Sequence, residues 1–329
     1  MTVQAPTAQQ IILSQIISRP PRSLWRDAWH RLLRNRAAVV GAVVIIFFLF
    51  VAVAAPLIAP HNPLQIFDGK GYLPPFWVTE GPTGKAGDPN FLLGTDTLGR
   101  DVLSRTIYGT RVSMVVGIIP TIIILIIGVS LGLFAGYRGG RVDNWLMRLA
   151  DIIYAFPGLL FFIIVMAALR DTPIGRLLNG LILLFVALSL VSWVGLTRLV
   201  RGQVLSLKEK EFVEAGRMIG AGSTHIMLKH LLPNTLGPII VSTAFRVPGL
   251  IITEAILGYL GIGLRPATDP SAIFITSWGA SMLDGQAALN AQPWVLLAPA
   301  ICVALVVLAF NYVGDGLRDA LDPRMAGTD

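Results

Sequence analysis

The sequence is poor in cysteine, in charge and in catalytic signatures. Its 329 residues include one cysteine, Cys302, set in an apolar run. One thiol closes no internal disulfide, and no Cys/His spacing of a metal site occurs. The four histidines are scattered, and His225 and His230, five apart, would fall on different faces of an α-helix. Charged residues make up only 14% of the chain, against about 25% in soluble proteins. With 54% hydrophobic residues and a mean hydropathy of +0.70, that shortage excludes a water-facing globular domain. There is no HExxH, no GxSxG and no catalytic carboxylate pair, so a membrane-embedded hydrolase lacks its chemistry. A phosphate-cradling loop needs GxxxxGK followed by Ser or Thr. The nearest fragment, Gly84-Lys85, is followed by Ala86 and lacks the upstream glycine.

What is present is a succession of long apolar runs. A membrane span needs about 20 mainly apolar residues, and six segments qualify: 37–59, 112–136, 149–169, 180–199, 237–262 and 294–313. The expected fold is therefore all-α, a polytopic bundle of six transmembrane helices. Pro120, Asp151, Pro157, Arg246, Pro248 and Glu254 interrupt three of the runs. Such residues are tolerated where neighbouring helices satisfy the freed backbone, which argues for packed helices and not lone anchors. The first run begins at Ala37 behind six arginines and is long enough to span, so it reads as a retained anchor and not a cleaved signal. No internal repeat of the kind found in secondary transporters is visible.

The net charge of +7 does not point to nucleic acid, because the basic residues cluster beside apolar runs. With the N-terminus placed inside, Lys and Arg number 17 in inside segments and 8 in outside ones. That bias puts both termini and the loop 200–236 in the cytoplasm, in a cell membrane. Residues 1–36 form a cytoplasmic segment in which Trp25, Trp29, Leu32 and Leu33 share one face of an interfacial helix. The external loop 60–111 is rich in Pro and Gly up to Asn90, and Leu98 to Tyr108 has the regularity of a short helix. A second external loop, 263–293, carries Trp278 and Met282 and is followed by Trp294, the tryptophans being read as interface anchors. The transmembrane core runs over 112–313, with the loop 200–236 within it, and 314–329 forms a cytoplasmic tail.

The loop 200–236 is polar and punctuated by glycine. Lys208 to Ile219 has helical spacing, with Phe212, Ala215, Gly216 and Ile219 to one side and Lys208, Glu211 and Glu214 more polar. Gly220-Ala221-Gly222 would break it. Ser223 or Thr224 would cap a second helix, closed by Pro233 before the fifth span. Two short helices joined by a tight turn make a stiff projection that can transmit force.

Glu214-Ala215-Gly216, then Gly220, then nine residues to His230-Leu231-Leu232-Pro233 resembles the loop signature of permease subunits of bacterial ABC importers. That signature reads Glu-Ala-Ala, three residues, Gly, nine residues, Ile-x-Leu-Pro. Gly216 stands where the pattern has Ala, and His230 where it has Ile. The His-x-Leu-Pro-Asn form is similar to the peptide-permease branch. So are Leu93-Gly94-Thr95-Asp96 with Leu98-Gly99-Arg100-Asp101, Gly136-Tyr137-Arg138-Gly139-Gly140 with Val142-Asp143, and Thr253-Glu254-Ala255. Phe310-Asn311 with Gly314 to Arg324 completes the likeness to C-type dipeptide and oligopeptide permeases.

The resemblance implies a non-catalytic permease subunit. Its partners would be a second permease subunit, one or two cytoplasmic ATPases and an external solute-binding protein. No cofactor would sit in this chain, because ATP and magnesium belong to the ATPases. It also implies a coupling helix between the fourth and fifth spans that docks in the ATPase through Glu214, Ala215, Gly216, Gly220, Leu232 and Pro233. The expected cargo is peptide, with nickel or another small solute as the alternative and a stand-alone secondary transporter as a further one. Among the intramembrane charges, Asp151 is a candidate for the path or the subunit interface, with an i,i+3 pair to Arg148 as the preferred reading. Arg246 and Glu254, eight residues or about 12 Å apart, would not pair; they would line a polar path or hold the partner subunit.

Overall fold

The computed structural model describes residues 24–81 and 83–322. The first part of the N-terminal segment and the Pro323-Arg324 end of the last motif lie outside these residues. The described residues are helical with no strand; one isolated bridge joins Thr95 and Asp101. The helices are α1 (Leu24–Arg34), α2 (Arg36–Ile58), α3 (Val102–Arg138), α4 (Gly140–Tyr154), α5 (Gly158–Leu169), α6 (Pro173–Arg176), α7 (Leu181–Leu207), α8 (Glu211–Met218), α9 (Ser223–His225), α10 (Leu232–Tyr259), α11 (Trp278–Gln286) and α12 (Trp294–Leu321). Helices α2, α3 and α12 and the runs Pro173–Leu207 and Ser223–Tyr259 are each long and apolar enough to cross a membrane. The pair α4 and α5, bent by 79°, makes a sixth if counted as one broken span. The chain is a polytopic helical membrane bundle.

Each departure from the expected spans has a local cause. The third run breaks at Pro157, which lacks an N–H and turns the residue before it away from helix; α4 stops at Tyr154 and α5 starts afresh at Gly158. The expected short helix at 98–108 is instead the outer end of α3. Asp101 caps it by accepting from Ser104 N (2.9 Å), and the helix then runs unbroken for 37 residues. At 1.5 Å per residue it is about 55 Å long, well beyond the roughly 30 Å hydrocarbon core. The last helix likewise continues to Leu321, past the expected end of its span.

Helix α3 is the axis of the bundle, and glycine sets how closely α7 approaches it. Gly128, Gly132 and Gly136 are spaced four apart on one face, against Leu196, Val200 and Val204 of α7. A Cβ on Gly132 would lie 2.7 Å from Val200 Cβ and 2.8 Å from the Thr197 carbonyl. Small residues at this spacing let membrane helices pack backbone to backbone. Around this contact lies the main core, with Ile124, Leu184, Leu188, Leu196, Val200 and Val204 all buried. A smaller core gathers Phe48, Met114, Val247, Ile251, Trp278 and Val306. Pro56 deprives the Ala52 carbonyl of its helical donor, and Arg111 of α3 fills the place with Nε at 2.7 Å.

Trp278 is not an interface anchor. It is fully buried, its Nε1 donates to Thr106 O (3.0 Å), and its ring meets Phe48 edge-on at 5.5 Å. The loop that carries it folds inward, and α11 packs between α10 and α12. The loop 60–101 is tied to α11 by charge. Asp96 accepts from Arg100 Nε (2.7 Å), while Arg100 and Arg105 both donate to Asp284 (2.9 and 2.5 Å).

Candidate functional site

The candidate site is the hairpin between α7 and α10. After α7 the backbone becomes extended at Lys210, and α8 begins at Glu211. Glu211 and Glu214 stand in its first turn and Arg217 in its last, the arrangement the helix dipole favours. The end of α8 is a Schellman motif: Gly220 N donates to Arg217 O and Ala221 N to Gly216 O, both at 3.0 Å. Gly220 takes φ +83°, which a residue with a Cβ adopts at a cost.

The amphipathic faces of α8 differ from the expected ones. Val213 and Gly216 point inward, and Val213 is sealed in the main core with Ile226 and Leu231. Phe212 and Ile219, assigned to the apolar side, are exposed, and Met218 and Ile219 are 88% and 85% accessible. The outer surface of the hairpin thus presents Phe212, Met218 and Ile219 beside the carboxylates of Glu211 and Glu214. Ala215 and Gly220 share this exposed side, whereas Gly216 is buried. Arg217 lies over the Tyr137 ring at 5.7 Å and so ties α8 to the end of α3.

Pro233 does not close a second helix. The chain from Ser223 to Tyr259 is one helical run, and residues Ile226–Leu231 wind as a π-helix. There Leu232 N reaches back five residues to Met227 O, the bonding that defines a π turn. Pro233 follows this wide turn among the first residues of α10, where its missing donor is least costly. Asn234 Nδ2 donates to the His230 carbonyl at 2.6 Å. No side chain caps this run, because Gly222 holds the N-cap position and not Ser223 or Thr224. Leu232 is half-buried and Pro233 exposed.

The π turn also overturns the separation of the histidines. Winding by five brings His225 and His230 together, with ring centroids 5.7 Å apart. A Cβ on Gly216 would lie 3.6 Å from His230 Nε2. The two departures from the loop signature, Gly216 and His230, are therefore neighbours in space.

Asp151 pairs not with Arg148 but with Arg198 of α7 (2.5 Å), which also covers Tyr154. One turn on, Arg201 grips Asp143 with two bonds of 2.5 and 2.7 Å. These pairs clip α4 to α7. Arg246 donates to the Ser192 carbonyl at 2.7 Å and lies beside Gly195, so it too holds α7. Glu254 has 0% exposure and accepts from Ser113 Oγ at 3.0 Å. Arg246 and Glu254 do not pair, as their spacing implies. On the opposite side of the bundle from the hairpin, Asp171 accepts from Arg265 (2.7 Å), which holds its carboxyl below the usual carboxylate range.

Sequence reasoning missed Val213 and Met218, the Asp143–Arg201 pair and the glycine ladder. The ladder had a readable signal, three glycines at i, i+4 and i+8 within an apolar run. The others are tertiary contacts with no local signature.

Known proteins resemble this chain in sequence. The family described as "Binding-protein-dependent transport system inner membrane component" matches residues 128–327. The "N-terminal TM domain of oligopeptide transport permease C" matches residues 23–75. The chain is 38% identical to the oligopeptide transport system permease protein OppC of Bacillus subtilis, covering 97% of this chain and 96% of that one. It is 40% identical to the protein of the same description from Haemophilus influenzae, over 92% and 89%. To the dipeptide transport system permease protein DppC of Bacillus subtilis it is 38% identical, over 94% and 88%.

Proposed function

The chain belongs to the family of binding-protein-dependent transport system inner membrane components, and from that premise we propose that it is the membrane-spanning half of an ATP-driven importer of di- and oligopeptides. A sister permease subunit completes the path. One or two cytoplasmic ATPases bind the hairpin around α8, and an external solute-binding protein delivers the peptide. The bundle sits in the cell membrane with both termini and the hairpin in the cytoplasm, as the Lys/Arg bias supports.

The observation that carries the reading is the hairpin. Apolar side chains at its tip are exposed to the degree of Met218 and Ile219 while its inner face is fixed by Val213. A surface so exposed on so rigid a base has the build of a docking knob. Glu214 and Ala215 sit on the docking surface. Gly216 faces His230 at the base, Gly220 makes the turn, and Leu232 and Pro233 lead into α10. Closure of the ATPases on ATP draws the hairpins of the two permease subunits together and reorients the spans attached to them.

Reconstitution tests this directly. Vesicles holding the complete complex should accumulate peptide only with ATP inside and binding protein outside. Glu214→Arg should separate ATP hydrolysis from uptake or block ATPase binding. Peptide accumulation by this chain alone under a proton or sodium gradient would overturn the proposal.

A further inference from the structure

Glu254 is a buried carboxyl that the docking hairpin leaves without a role. It lies on the last two turns of α10, at the end opposite the hairpin. Ser113 Oγ of α3 donates to its Oε2 at 3.0 Å and accepts from Trp278 N, the first residue of α11, at 3.4 Å. One hydroxyl thus joins three elements: α3, α10 and α11. Around it the backbones almost touch. A Cβ on Gly258 would lie 2.8 Å from Gly279 Cα, and one on Gly279 would lie 2.7 Å from the Ala255 carbonyl. Ser277, the N-cap residue of α11, also lies within reach of the Glu254 carboxyl, although Oε1 makes no hydrogen bond of good geometry. A leucine would fill the same volume with no polar atom to desolvate, so stability alone does not account for the acid.

We infer that Glu254 is a positioning residue that latches α11 and α3 to the far end of α10. Motion applied to α10 at the hairpin then reaches the loop where solute enters. This rests on the importer reading, because it needs a span driven from its cytoplasmic end. The latch depends on the shape and hydrogen bonding of the side chain and not on its charge. Gln has the same reach and an oxygen that accepts from Ser113; Leu does not.

The test uses the whole complex in vesicles with binding protein. Glu254→Leu should assemble and keep basal ATP hydrolysis. Peptide uptake and the stimulation of hydrolysis by binding protein should both fall roughly tenfold, the range of a coupling carried by one or two hydrogen bonds. Glu254→Gln should stay within about twofold of the unchanged complex. Normal stimulation in Glu254→Leu would overturn the inference, as would a loss in Glu254→Gln as deep as in Glu254→Leu. If Glu254→Leu fails to assemble, Ser113→Ala decides. It removes the bridging hydroxyl with little volume, and unchanged stimulation in that variant overturns the latch. An unchanged complex that does not respond to ATP removes the importer reading and this inference together, whereas a working complex with indifferent variants removes the latch alone.

Discussion

Replacing Gly132 by Ala should loosen the α3–α7 contact, and the same replacement at Gly202 should not. At Gly132 the new Cβ meets Val200 Cβ at 2.7 Å and the Thr197 carbonyl at 2.8 Å, both on the rigid backbone side of α7. Neither atom can rotate away, so the helices must separate by several tenths of an ångström. Overpacking of this kind costs about 1–3 kcal/mol. Alanine returns up to about 1 kcal/mol through its better helix propensity, leaving a net loss of roughly 0–2 kcal/mol. Gly202, on α7 itself, has nothing within 4 Å of its Cβ position, and only the propensity gain of about 1 kcal/mol applies there. The propensity gain is common to both, so the two variants should differ by the overpacking cost, roughly 1–3 kcal/mol. Unfolding of the purified complex by denaturing detergent, or by heat with fluorescence-detected size exclusion, reads this difference. Equal midpoints would refute the claim that backbone proximity, and not helix propensity, decides the cost at this ladder.

Three further outcomes follow from the same geometry. Met218→Ser combined with Ile219→Ser should leave the fold intact, because both side chains are almost fully exposed, yet weaken ATPase binding tenfold or more, an estimate for two anchors at an interface core; pull-down with the ATPases measures it. Asp143→Ala and Arg201→Ala should show a coupling of about 1–3 kcal/mol in a double-mutant cycle of unfolding, because the pair is bidentate and charge-assisted. Gly216→Ala should raise stability by up to about 1 kcal/mol, since its Cβ would meet His230 at an ordinary 3.6 Å; a fall in the unfolding midpoint would contradict that packing.

The spans were legible because apolar length is a strong signal, and so was the hairpin, because Gly220 can end a helix in a way few residues can. The faces within the hairpin were not. Ile219 has the composition of a buried residue and stands 85% exposed, because the C-terminal turn of α8 carries it past the core. Pro233 reads as a stop in any local window, but a π turn upstream removes the conflict that would have made it one. That same turn changed the angular spacing of His225 and His230. Trp278 carries the composition signal of a membrane interface, and only the inward path of its loop shows it to be core. Asp151 had two basic residues within reach; spacing offered Arg148, and packing of α4 on α7 chose Arg198.

These placements decide which helix can carry a stroke. A push on α8 passes through Val213 to Ile226 and Leu231, which belong to the core and also to the π segment leading into α10. From Ser223 to Tyr259 the run has no break, so displacement at one end appears at the other. The pair α4 and α5 cannot serve this way, because its 79° bend at Pro157 turns the helix axis. Helix α7 is held from several sides by the glycine ladder of α3, by Arg246, and through its own Arg198 and Arg201 by α4. Arg246, midway along α10, is the direct polar tie from that run to α7.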